Sequence, residues 1–167
     1  MNKYFLTFTK TLCVFLMASV YSMVNANSSD AIEVSSIVEL EIVSLDKQGN
    51  EIIKRIPAEK VTPGSEVIYT TRFKHNGTEP AADIVISNPI PEHTTYKVGS
   101  AKGDDAEMFY SIDGGKSFHQ PDQLVVVGKD GSTRVAEAKD YTDIRWIYKR
   151  ELQQGDVGTV EFRVVLK

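Results

Sequence analysis

The sequence predicts an all-β protein, an antiparallel β-sandwich of about seven to nine strands preceded by a signal peptide. Three observations carry this expectation. Apolar and polar residues alternate with period two along most of the chain beyond residue 35, which gives each strand one buried and one wet face. Turn residues interrupt the alternation about every 8 to 12 positions, the rhythm of a sandwich. Helical periodicity is nearly absent: STRVAEAKDY at 132–141, with Val135, Ala136 and Ala138, offers one or two turns at most.

Residues 1–26 stand apart from the rest. Lys3 and Lys10 with no acid, the apolar run TLCVFLMASVYSMV, and the small residues Val24 and Ala26 follow the order of a secretory signal peptide cut between Ala26 and Asn27. The apolar run holds about 14 residues, against the ~20 that a permanent membrane helix needs, and no second run follows. A soluble exported chain, periplasmic or secreted, is therefore expected, with no membrane span in the mature part. Cys13 is the only cysteine, lies inside the leader, and is followed by more apolar residues rather than a lipoprotein tether. The mature chain thus has no thiol nucleophile, disulfide or cysteine zinc site, and core packing must hold it. Residues 27–167 have the usual size of one domain. Such a chain buries roughly 70% of its unfolded surface. Removing Lys3 and Lys10 leaves 17 basic against 23 acidic residues, a net charge of −6. That balance argues against nucleic acid or anionic lipid as a partner.

The elements follow in order. NSSDAIEVS, 27–35, is polar and aperiodic and reads as a flexible lead-in to a single sandwich domain over 36–167. In SIVELEIVSLD, Val38, Leu40 and Ile42 alternate with Glu39 and Glu41, so one face is expected to be buried. DKQGN turns the chain into EIIKRI, its hairpin partner. Pro63-Gly64 makes a tight turn, because proline fixes one backbone angle and glycine accepts positive φ at the next. EVIYTTRFKH places Val67, Tyr69, Thr71 and Phe73 on one face, and Asn76-Gly77 after it favours a hairpin turn. Ala82, Ile84 and Ile86 repeat the alternation. Pro89 and Pro91 end it, since neither can donate to a ladder. Tyr96 and Val98, then Ile144, Trp146 and Tyr148, then Val160, Phe162, Val164 and Leu166 continue it, with Gln154-Gly155-Asp156 turning into the last strand. Trp146, the sole tryptophan, is expected as the central core ring.

The spaced order Pro63-Gly64, Val67, Tyr69, Asn76-Gly77, Ala81, Ile84-Val85, Pro89, Pro91, Tyr96 resembles the conserved repeat domain of bacterial surface proteins, known as domain of unknown function eleven. The resemblance resumes at YSIDGGKSF and at Ile144, Trp146, Leu152, Gly155, Gly158, Val160 and Phe162, covering about 58–167. It implies an immunoglobulin-like sandwich and an exported, non-catalytic structural or adhesive module, without implying a ligand. Tandem copies and a wall anchor, frequent in that family, have no counterpart here, which favours a free periplasmic or released protein over surface display.

No catalytic, cofactor-binding or metal residue is nominated. YSIDGGKSF, 110–118, resembles an Asp-box, a turn whose aspartate accepts backbone N–H groups; Asp113-Gly114-Gly115 is expected to turn a hairpin and Phe118 to plug it. A sialidase propeller needs four or more blades, for which this chain has no room. His75, His93 and His119 are too far apart in sequence for a paired-histidine site and are expected as solvated loop residues. The acidic loop with Asp104, Asp105 and Glu107, and secondarily Asp130-Gly131, could offer oxygen ligands to calcium but lacks the ligand spacing of a helix-loop-helix site. No nucleophile elbow or phosphate loop occurs. The expected function is an exported structural or protein-interaction module of the bacterial envelope. Its partner is expected to be another envelope protein, bound through a sheet edge at 36–56 or at the terminal strand 157–167. A calcium-dependent or glycan-binding adhesin, and an enzyme of unrecognised type, are the alternatives.

Overall fold

The structure, a computed structural model, describes residues 31–167; the leader, its cleavage site and most of the lead-in lie outside the described residues. The period-two pattern builds eleven strands. The long ones are β1 (Ile32–Leu45), β2 (Glu51–Pro57), β3 (Glu66–His75), β4 (Val85–Pro89), β7 (Ala106–Ser111), β10 (Asp143–Tyr148) and β11 (Val157–Leu166). Four pieces of two or three residues bring the number above the expected seven to nine: β5 (Thr94–Tyr96), β6 (Lys102–Gly103), β8 (Val125–Val127) and β9 (Thr133–Val135). The larger sheet runs β2-β1-β3-β11-β5, with β6 also on β11; the smaller runs β4-β10-β7; β8 and β9 form a separate ribbon. Every pairing is antiparallel. The arrangement is an open antiparallel sandwich, immunoglobulin-like in outline.

Alternation fills the space between the sheets. Val67, Phe73, Val160, Phe162 and Val164 from the larger sheet meet Ile84, Ile86, Ile144, Trp146 and Tyr148 from the smaller. Phe162 stacks on Tyr69 at 5.1 Å and packs near Trp146 at 6.1 Å, while Phe73 meets Tyr148 edge to face at 5.4 Å. Such offset and edge contacts suit the quadrupoles of the rings. At one end Tyr96, Tyr110 and Tyr141 cluster, with the Tyr96 and Tyr110 hydroxyls 3.2 Å apart and the Ala101 N–H donating to Tyr96 Oη at 3.1 Å. Desolvation and the neighbouring phenols hold the Tyr110 pKa above the range in which tyrosines ordinarily ionise.

Several expectations are corrected. The strand β1 begins at Ile32, so 32–35 belong to the sheet rather than to a flexible lead-in: the Ala31 carbonyl already accepts from the Asn76 N–H at 2.7 Å. Asn76-Gly77 makes no hairpin. After His75 the chain crosses to the smaller sheet through the Ala81↔Leu152 bridge, and Gly77 is needed because a Cβ there would lie 2.9 Å from Ala31 Cβ and 3.0 Å from His75 Nε2. Val98 is exposed, since β5 ends at Tyr96. Within 132–141 the one or two turns expected reduce to a single 3-10 turn, Ala138–Asp140, and the strand β9 precedes it. Finally, β11 is not an edge, because β3 flanks it on one side and β5 and β6 on the other.

Candidate interaction surface

The strand β1 changes partners halfway along. Residues 32–39 pair with β3, residues 39–45 pair with β2, and beyond Glu39 the strand leaves β3 behind. The hairpin therefore projects past the body of the sandwich, and the expected single buried face of 38–42 is not realised: Val38 and Ile42 are exposed and Leu40 half-buried. The smaller sheet has three strands, none of which pairs with β1. Eight of the fifteen large hydrophobics exposed among the described residues lie on β1 and β2. Val43, Leu45 and Ile53 are the extreme cases, 68%, 66% and 73% exposed. They share one face, because Val43 stands opposite Ile53 and Leu45 opposite Glu51. Apolar side chains clustered in this way on one element differ from the single exposed apolar residues scattered over an ordinary surface.

What aims the hairpin is a charge network at its root. Arg163 Nη1 and Nη2 donate to the two Glu41 carboxylate oxygens at 2.8 Å each, and Nη1 also donates to Glu66 at 2.9 Å. Arg55 Nη1 donates to Glu161 at 2.7 Å and Arg55 Nε to Glu41 at 3.4 Å; Lys97 pairs with Glu66 at 2.5 Å. Arg163 stands opposite Ile68 of β3, which stands opposite Glu39 of β1. To reach Glu41 its side chain crosses β3, and Ile68, on the outer face, is left only 1% exposed. Beside this root lies a cleft of about 440 Å³ lined by Leu40, Ile42, Ser65 and Arg163 among others.

The edges follow from the ladder. The Asp46 N–H donates to Asn50 O at 2.9 Å and the Ala58 N–H to Val38 O at 3.0 Å. Pairing of constant register between them means that residues 52, 54 and 56 turn their backbone groups to β1, and 51, 53 and 55 turn theirs outward. No strand among the described residues takes up the outward groups of β2. The smaller sheet ends in β7 on one side and in β4 on the other, where β4 closes on Pro89 and is bordered by a 210 Å³ pocket between Ser36, Thr71, Asn88 and Phe162.

The remaining sequence candidates are placed as follows. Asp113 does organise its turn: Oδ1 accepts from Lys116 N and Ser117 N at 3.0 Å each, and Oδ2 from Ser117 Oγ at 2.7 Å. Gly114 and Gly115 supply φ of 73° and 77°. Buried Ser111 completes the turn, accepting from Asp113 N at 3.2 Å and Gly115 N at 3.0 Å. Phe118 is no plug; it is half-buried, with the Arg145 guanidinium 3.6 Å over its ring. His75 is not a solvated loop residue: as the last inward position of β3 it is 1% exposed, and its Nδ1 has no hydrogen-bond partner among the described residues. His93, at φ 61°, and His119 are exposed and apart from it. Open clefts place His75 near Glu79, and His93 near Glu92 and Asp143. In the acidic loop, Asp105 pairs with Arg150 at 3.1 Å and Glu107 with Lys149 at 2.5 Å; Asp130 accepts from Ser132 Oγ at 2.6 Å. Among the described residues, no three His, Cys, Asp or Glu side chains gather as a metal site, and no helix is long and apolar enough to cross a membrane. No family model matches the chain, and no curated protein matches it.

These carboxylates set an acid limit on the fold. Hydrogen bonds from Ser117 N–H, then from the Ser117 and Ser111 hydroxyls, hold Asp113 well below the ordinary carboxylate range. Arg134 brings Asp140 down to about 2, and Arg163 and Lys97 lower Glu41 and Glu66. Each group is a stronger acid folded than unfolded, so its contribution is complete above the unfolded pKa and is lost as pH falls toward the folded one. The melting temperature is therefore expected to be level down to about pH 5 and to fall steadily below about pH 4. Calorimetry across that range checks it, and Asp113→Asn should shallow the decline. A decline centred near neutral pH would contradict the assignment.

Proposed function

We propose that this chain is an exported, non-catalytic protein-interaction module of the bacterial envelope, and that the β1–β2 hairpin is its contact element. The observation that supports this reading is the coincidence, on one projecting ribbon, of a backbone edge unpaired among the described residues with eight of the fifteen exposed large apolar side chains. An extended partner strand could add to β2, taking main-chain hydrogen bonds for affinity and side-chain contacts with Val43, Leu45 and Ile53 for selectivity. The leader sequence at 1–26 supports export. The resemblance of 58–167 to an exported repeat domain agrees with a module whose added segment, the hairpin, carries the specific contact.

The test is site-specific photocrosslinking in the native cell. A crosslinker at position 43 or 53 is expected to give discrete protein adducts, one at position 129 on the far loop is not, and Val43→Lys with Leu45→Lys should abolish them. Equal adduct yield from both positions would sink the reading. Cell fractionation should place the mature chain outside the cytoplasm.

A further inference from the structure

We propose that the hairpin's occupant is a second copy of this chain, joined antiparallel along β2 around a two-fold axis at Ile53. The inference rests on the reading of the hairpin as the contact element and adds the identity of the partner. The edge itself selects this register. Only residues 51, 53 and 55 present outward backbone groups, since Pro57 lacks an N–H and Asp46 to Asn50 close the turn at the other end. A symmetric pairing centred on Glu51 would oppose two carboxylates, and one centred on Arg55 two guanidinium groups. Centring on Lys54 would oppose two ammonium groups, and centring on Ile52 would pair only 51 with 53 and set Arg55 opposite Gly49. Ile53 alone satisfies all of these constraints.

At that register the chemistry is self-complementary. Ile53 pairs with its own copy, and Glu51 of each chain stands opposite Arg55 of the other, giving about six backbone hydrogen bonds and two cross-strand ion pairs. All of these side chains lie on the face that carries Val43 and Leu45, so the apolar tips of the two hairpins merge across the axis. Arg55 is tethered to Glu161 but keeps its side chain 37% exposed, within reach of an incoming carboxylate. Natural sheet edges carry charges to repel one another. Here the two charges are placed to attract under two-fold symmetry.

Analytical ultracentrifugation of the chain 27–167 over a concentration series tests this. The wild type is expected to approach twice its monomer mass. Ile53→Pro should stay monomeric while folding normally, because the N–H it removes donates to nothing among the described residues. Glu51→Arg and Arg55→Glu should each be monomeric alone and regain a dimer when mixed in equal amounts, since each then supplies the charge the other lacks. Recovery in trans is something that loss of folding cannot mimic. A wild type that remains monomeric at every concentration, an Ile53→Pro dimer, or failure of the mixture to recover would overturn the proposal. If the wild type is monomeric while the position-53 crosslinker captures a different protein, self-association fails and the interaction reading stands; if no adduct forms at all, both fail.

Discussion

Phe73→Ala is expected to destabilise the fold by about 3 to 5 kcal/mol, enough to consume much of the stability of a domain this size. Phe73 is fully buried, on the β3 register opposite Gly158, and the tip of its ring lies against that glycine. A Cβ built on Gly158 would stand 2.1 Å from Phe73 Cζ and 2.3 Å from Cε2, closer than any real contact. Gly158→Ala should therefore cost about 1 to 3 kcal/mol by forcing the ring off its position against Tyr148. The two losses share one cause, so they should not add: in the Phe73→Ala background the Gly158 substitution is expected to be nearly neutral. Urea unfolding of the two single variants and the double variant measures this. Additive losses would mean that the ring and the glycine do not touch.

Arg163→Glu is the second large effect, expected to cost about 2 to 3 kcal/mol through lost charge-assisted bonds and new like-charge repulsion. The change would put a carboxylate beside Glu41, Glu66 and Glu161 and uncover Ile68. Its local consequence is more informative than the global loss. Because Arg163 and Arg55 are what draw the hairpin root toward the outer face of β3 and β11, amide exchange in 40–56 should accelerate far more than in β10. A uniform acceleration across the molecule would show that the network does not aim the hairpin. Arg163→Met keeps the stem over Ile68 and should retain most of the global stability while still freeing the hairpin.

These two sites mark where local pattern ends and three-dimensional placement begins. Alternation at Val67 to Phe73, Ile144 to Tyr148 and Val160 to Leu166 is local, because a strand's two faces are set by its own period. The turns at Pro63-Gly64, Asp113-Gly114-Gly115 and Gln154-Gly155-Asp156 are local too, since positive φ at their glycines depends on a few neighbouring atoms. The class of fold, most core residues and the hairpin 36–56 as a candidate edge were legible for that reason. The exposure of Val38 and Ile42 was not. Whether an alternating face is buried depends on whether a second sheet extends over it, and the smaller sheet has too few strands to do so.

The same division runs through the other differences. The strand β11 reads as a candidate edge in sequence, yet two loop strands, β5 and β6, close its far side. His75 continues the inward parity of β3 past the last apolar residue, so its burial was written in the period but masked by the neighbouring Asn76-Gly77. Gly77 reads as turn punctuation and instead lies at close range to His75, and Gly158, within the last strand, makes room for Phe73. By itself the sequence determined an all-β sandwich and most of the strands that build it, because period and turn chemistry act over a few residues. Only the tertiary structure decided which strand ends the sheet, which apolar face stays uncovered and which backbone groups of β2 point outward, because those depend on how many neighbours each strand meets after the chain has folded back on itself.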